Sequence, residues 1–243
     1  MRTQNDQLAR YVTAELRALA DPAKAPAMAA YMKTAQAFYG VQTPRRATIL
    51  RETRDRFVPA DKKSYERNVL ALWKLPYREE RYCAIAYARN HPRFITTSAL
   101  PLYERMIREG AWWDFVDDIA VNLVGGVLGN FPAKARPIIE RWIDDPDMWI
   151  RRTAILAHLK HKKTTDAAQL FEHCLRRAHE SEFFIRKAIG WALREYSKTA
   201  PRAVGAFLKK NRPRLSKLSF DEGSKHLGRT RSKKPRAQKS RVR

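Results

Sequence analysis

Cysteine, glycine and acidic residues are all scarce in this chain of 243 residues. Its two cysteines, Cys83 and Cys174, sit in apolar helical patterns. They exclude a disulfide framework and read as buried free thiols of a reducing compartment. No Cys/His spacing matches a zinc site, and the six histidines are scattered, so no metal site is expected. Only 9 glycines and few β-branched runs argue for helix over sheet. No apolar run approaches the length that spans a bilayer. The N-terminus, Met1-Arg2-Thr3-Gln4-Asn5-Asp6, lacks the apolar stretch of a secretory signal. These absences predict a soluble, cytoplasmic protein.

What is abundant is positive charge. Lys and Arg number 49 against 25 Asp and Glu, a net charge of +24. Nine of the cations lie from Lys225 onward, where there is no acid; without them the rest still carries about +15. A folded part this basic implies a polyanionic partner: DNA, RNA or an anionic membrane surface. With 44% apolar residues and 10% aromatics, a chain of this length can bury a large core. Gly223 to Arg243 is polar and basic, and reads as a disordered tail on a domain spanning 1–222. No self-complementary apolar patch stands out, so a monomer is expected.

Helical stripes and breakers organise the domain. Leu8, Tyr11, Val12, Leu16 and Leu19 form a first stripe, closed by Asp21-Pro22. Thr43 followed by Pro44 reads as N-cap and first helical residue, and Asp61 as the next cap. Further helices are predicted near 77–90, 98–109, 112–129, 133–144, 147–161, 165–178, 181–198 and 201–211. Gly125-Gly126 interrupts one of them, which points to close helix packing there.

Three stretches repeat in one register. Shifting by 35 residues aligns Trp113, Met148 and Phe183, and likewise Asp117, Arg152 and Lys187; one step back reaches Arg78 and Tyr82. A period of this size signals stacked two-helix units whose equivalent positions line one surface. The predicted fold is therefore all-α, an α-solenoid of about six HEAT-like helix pairs with a concave basic groove. Such a groove suits a duplex, whose backbone rewards Lys and Arg through counterion release.

Trp113 and Asp117 are four apart and share a helix face, as do Phe183, Lys187 and Trp191. The plainer explanations are real: aromatics at this spacing are usually core, Asp114, Asp117 and Asp118 suit a helix start, and Arg151 and Arg152 suit solvent. Against them, Asp117 is flanked by Val116, Ile119 and Ala120, and a half-buried carboxylate needs a partner such as Arg152. One carboxylate beside indoles fits removal of a cationic base. An alkylated purine leaves neutral, needs no strong acid, and leaves positive charge on the sugar for a carboxylate to stabilise. Indole faces attract the cation.

The same residues resemble the AlkD-like DNA alkylation repair glycosylases. The resemblance is carried by Ala29-Ala30-Tyr31-Met32-Lys33, Val41-Gln42-Thr43-Pro44, Leu72-Trp73-Lys74-Leu75-Pro76 and Trp112-Trp113-Asp114-Phe115-Val116-Asp117. It continues in Trp149-Ile150-Arg151-Arg152-Thr153-Ala154-Ile155-Leu156 and, most specifically, from Glu182-Phe183-Phe184-Ile185-Arg186-Lys187 through Tyr196. It spans about residues 8–227, in order. It implies a HEAT-like fold and excision of N3- and N7-alkylpurines from duplex DNA, leaving an abasic site, without metal or organic cofactor. It also implies roles. Asp117 is the catalytic carboxylate, Trp113 and Trp191 pack against the lesion's sugar and backbone, and Arg152 binds phosphate beside them. Tyr31 and Gln42 are groove residues, Phe183 an aromatic support, and Lys160 and Arg194 are backbone contacts. Lys187 is a further DNA-binding candidate and also the nearest amine for lyase chemistry, which is not favoured, so a monofunctional enzyme is expected. Two other readings stay open: a DNA-binding repeat protein without catalysis, and a protein-interaction scaffold.

Overall fold

In the computed structural model, which describes residues 4–227, the chain is built from helices, and no strand occurs among those residues. They are α1 (Gln4–Ala18), α2 (Ala25–Met32), α3 (Thr43–Arg56), α4 (Lys62–Trp73), α5 (Arg78–Asn90), α6 (Leu100–Gly110) and α7 (Trp113–Asp118). After a π-helical segment (Ile119–Val124) come α8 (Gly125–Asn130), α9 (Pro132–Trp142), α10 (Met148–Leu156), α11 (Ala167–Arg176), α12 (Phe183–Ser197), α13 (Pro201–Lys210) and α14 (Lys217–Ser224).

Local chemistry sets these boundaries. Asp61 caps α4 by accepting from the Ser64 amide at 2.7 Å, while the Ser64 hydroxyl accepts from the Asp61 amide at 3.0 Å. Asp147 and Asp166 cap α10 and α11 by accepting from the amides of Trp149 and Gln169, without the return bond. The start of α3 lies one residue earlier than its sequence suggests: Gln42 is the extended N-cap, so Pro44 occupies the second helical position. That costs nothing, because the amide is unpaired there in any helix.

The helices stack as an α-solenoid. One layer runs α3, α5, α7 with its π-helical continuation, α10, α12 and α14, each packed on the next. The second layer is made by α4, α6, α9, α11 and α13. Tyr65, Trp73, Tyr87 and Tyr103 fill the space between the layers and are fully buried. The hydroxyls of Tyr65 and Tyr103 bond to each other at 2.9 Å, which satisfies both where no water reaches. Phe171 of α11 stacks on Phe207 of α13 at 4.4 Å and meets Tyr196 of α12 edge-on at 6.0 Å.

Two features shape the layer that carries the site. Gly125 follows the π-helical segment, and a β-carbon there would lie 2.6 Å from the carbonyl oxygen of Ala157. The glycine pair thus permits the close packing that its interruption of the helix suggests. At the other end, buried Glu79 accepts from the amides of Tyr39, Gly40 and Val41 at 3.1, 2.9 and 3.0 Å. Gly40 takes φ +85°, and a side chain there would strike the Asp21 carbonyl. This pinned turn holds Gln42 in place at the start of α3.

The sequence reading ends the domain at residue 222, whereas α14 continues to Ser224 and Leu227 still packs on the core. The rest of the segment assigned to the tail, 228–243, lies outside the described residues.

Candidate active site

The period of 35 residues becomes a row of side chains. Trp113 and Asp117 lie on α7, Arg152 on α10, and Phe183, Lys187, Trp191 and Arg194 on α12. All seven, with Phe184, line one open cleft of about 410 Å³. Sequence reasoning names every one of these except Phe184 as a site residue, and expects Trp113, Asp117, Arg152 and Trp191 to converge.

Asp117 and Arg152 form the centre. Nε and Nη2 of Arg152 each donate to a different oxygen of Asp117, both at 2.8 Å. A third nitrogen, Nη1, donates to the carbonyl of Phe184. The Arg152 side chain is 4% exposed and that of Asp117 is 16% exposed. Arg152 is therefore first a holder of the carboxylate; only its remaining N–H groups are free to meet a phosphate. Burial pushes the Asp117 carboxyl above its ordinary value, Asp114 and Asp118 add to the rise, and the bonds and charge of Arg152 oppose it. A carboxylate has about four acceptor positions, and Arg152 takes two, so Asp117 keeps acceptor capacity.

Aromatic rings fix these elements. Trp112 and Trp149 lie 6.0 Å apart, and Phe184 meets Trp149 at 4.9 Å and Trp112 at 5.7 Å. The ring of Phe184 also lies under the Arg152 guanidinium at 5.7 Å. Phe183, by contrast, is 53% exposed at the mouth. Trp113 and Trp191 are half-buried, with their bodies packed against the core.

A second buried pair stands one unit earlier. Arg78 donates to both oxygens of Asp114 at 2.9 and 2.6 Å, and the Tyr82 hydroxyl donates to the same carboxylate. Tyr82, Asp114 and Asp118 line a larger cleft with Tyr31 and Gln42. Tyr31 is 75% exposed. Asp114 and Asp118 thus face one cleft, while Trp113 and Asp117, on the neighbouring face of α7, face the other. Lys160 is in neither. It donates to Asn122, which donates to Asp118 at 2.5 Å, and Asp118 pairs with Arg89 at 3.3 Å.

Sequence reasoning missed α14, Glu222 and Lys225. Glu222 is 3% exposed and pairs with Lys187 at 2.8 Å, with Lys225 at 2.7 Å and with Arg194. The signal was present: one further step of 35 residues from Lys187 lands on Glu222. Among the described residues, no group of three or more His, Cys, Asp or Glu is arranged to hold a metal ion.

The family model that matches this chain is that of the DNA alkylation repair enzymes, over residues 12–227. A solved structure described as a predicted DNA alkylation repair enzyme from Enterococcus faecalis superposes with a TM-score of 0.77 at 29% identity. The alignment covers 86% of this chain and 97% of that one. No curated protein sequence gives a match.

Proposed function

From the premise that this chain belongs to the DNA alkylation repair enzyme family, we propose that it is a monofunctional, AlkD-like glycosylase that hydrolyses the N-glycosidic bond of cationic N3- and N7-alkylpurines in duplex DNA. The observation that carries this reading is the convergence of Asp117, Arg152, Trp113 and Trp191 in one open cleft.

The chemistry follows from the groups present. The bond from C1′ to the alkylated base breaks with its electron pair going to the base, whose positive charge is thereby neutralised. Positive charge develops on the sugar. Asp117, oriented by Arg152, faces that charge with the acceptor capacity it retains and holds a water for attack at C1′. The water's proton passes to the carboxylate and on to solvent, and an abasic site remains. Trp113 and Trp191 offer faces that favour a cationic lesion by about 0.5–2 kcal/mol each. Lys187 is held in an ion pair with Glu222, which supports hydrolysis over Schiff-base chemistry.

One observation favours the alternative of a DNA-binding protein without catalysis: Asp117 is already paired through both oxygens, as a purely structural acid is. Chromatography of the bases freed from methylated duplex DNA separates the two. Release of methylated purine by the protein supports the enzyme; tight, salt-sensitive binding with no release supports the alternative.

A further inference from the structure

Glu222 is a buried acid outside the reacting group, and its surroundings need an explanation. It packs against α12, beneath the cleft residues Lys187 and Arg194, because Gly190 of α12 has no side chain: a β-carbon there would lie 2.5 Å from the β-carbon of Glu222. The hydroxyl of Ser216 caps α14 by accepting from the Ser219 amide at 3.0 Å. The Ser219 hydroxyl donates to the Arg186 carbonyl at 2.9 Å, which fixes α14 on α12.

Three cations converge on this one carboxylate: Lys187 and Arg194 from α12, and Lys225 just past α14. Nearby acids do not balance them, since Asp221 is paired with Lys217 and Glu195 with Lys198. Arg152 is neutralised by Asp117. The cluster therefore keeps two positive charges beyond what Glu222 offsets. The crowding is felt at Lys187, whose amine is pushed below its ordinary value by burial and then by Lys225, Arg194 and Arg152. Each ammonium uses one bond on Glu222 and has two further donors. A net-positive group of donors, held by a buried acid beside a cleft, is suited to a phosphodiester.

We propose that Glu222 is a positioning residue that seats Lys187, Arg194 and Lys225 as a phosphate-binding cluster beside the cleft, whose wall Lys187 and Arg194 themselves line. The occupant is a backbone phosphate of the strand entering the site, an assignment that rests on the DNA reading given above. Lys225 thus belongs to the folded site, although its sequence context groups it with the basic C-terminal run.

The test uses the full chain and an alkylated duplex, with binding followed across a salt series and base release followed in parallel. Lys225→Ala changes a half-exposed side chain and is compatible with folding. It is expected to weaken binding severalfold and to reduce the slope of log K against log salt by about one. Glu222→Gln makes the protein more positive. It is nevertheless expected to weaken binding, with the loss in KM rather than kcat, because the cations lose their geometry. In the Glu222→Gln background, Lys225→Ala is expected to add little. Binding by Glu222→Gln as tight as or tighter than wild type would make Glu222 a mere screen and overturn the proposal. An unchanged salt slope in Lys225→Ala would do the same, and it decides the matter even where Glu222→Gln fails to fold. Base release by wild type with neither shift removes the phosphate cluster alone; both shifts without base release remove the glycosylase reading alone.

Discussion

Asp117 and Arg152 meet through two parallel hydrogen bonds of 2.8 Å, and the same guanidinium reaches on to the backbone carbonyl of Phe184. One buried side chain therefore ties α7, α10 and α12 together and sets the direction of the carboxylate. Removing one partner of such a pair leaves an uncompensated buried charge.

Arg152→Ala is expected to lower stability by about 3–5 kcal/mol. Arg152→Lys keeps the charge but cannot form the planar fork. It is expected to reduce base release far more than it lowers the thermal midpoint, because Asp117 loses its orientation while its charge stays compensated. Thermal melts and single-turnover release on the same preparation check both statements.

In the proposed mechanism the indoles act through their faces. Trp113→Leu and Trp191→Leu are each expected to slow release of a cationic base by about 2- to 30-fold, the equivalent of 0.5–2 kcal/mol. Release is measured as a single-turnover rate at subsaturating enzyme, where recognition of the cationic lesion enters the rate. An unchanged rate in both variants would remove cation recognition from these residues.

Gly125 tests the packing of the layer. Its β-carbon position is blocked by the backbone carbonyl of Ala157 rather than by a side chain that can turn away. Gly125→Ala is expected to destabilise by about 1–3 kcal/mol, despite the better helix propensity of alanine. A chemical denaturation curve measures this directly.

Much of this was legible in the sequence because the fold is a repeat. The spacing of 35 residues that aligns Asp117 with Arg152 is the separation of two side chains that bond in space, so the period itself predicted the pair. The register also set Trp113, Phe183 and Lys187 on one surface, whereas Trp191 came from its helix-face spacing and Arg194 from the family resemblance alone. Helix α14 was not. It is short, its only strong local signal is the Ser216 cap, and its packing depends on the absence of a side chain at Gly190, 29 residues before the Ser219 it meets. The π-helical segment after α7 was also invisible, since its hydrophobic pattern differs little from that of an α-helix over six residues. The separate placements of Lys160 and of Tyr31 with Gln42 depend on how α7 divides two clefts, which spacing alone does not say.

Two buried histidines add to the loss of stability in acid. Burial lowers His158 to about 3 and His91 to about 4. In the unfolded chain each takes up a proton near its ordinary value of 6.5, while the folded protein resists doing so. Their contribution is therefore full above pH 6.5 and is lost as the pH falls from there toward 4 and 3. His158→Phe is expected to flatten this dependence. Thermal midpoints from pH 7 to pH 4 check it, with a smaller fall in the variant than in wild type.

The central claim is that the Asp117 carboxylate carries the reaction, and single-turnover release of methylated purine by wild type and Asp117→Asn across pH tests it most directly. Because burial raises this carboxyl and the ionised form is the working one, wild-type release is expected to fall on acidification at a pH above the ordinary carboxylate value of 3.8. Asp117→Asn is expected to be slower by orders of magnitude at neutral pH, to lack that acid limb and to bind duplex nearly as well as wild type. Release by Asp117→Asn at the wild-type rate, with the same pH profile, would contradict the account.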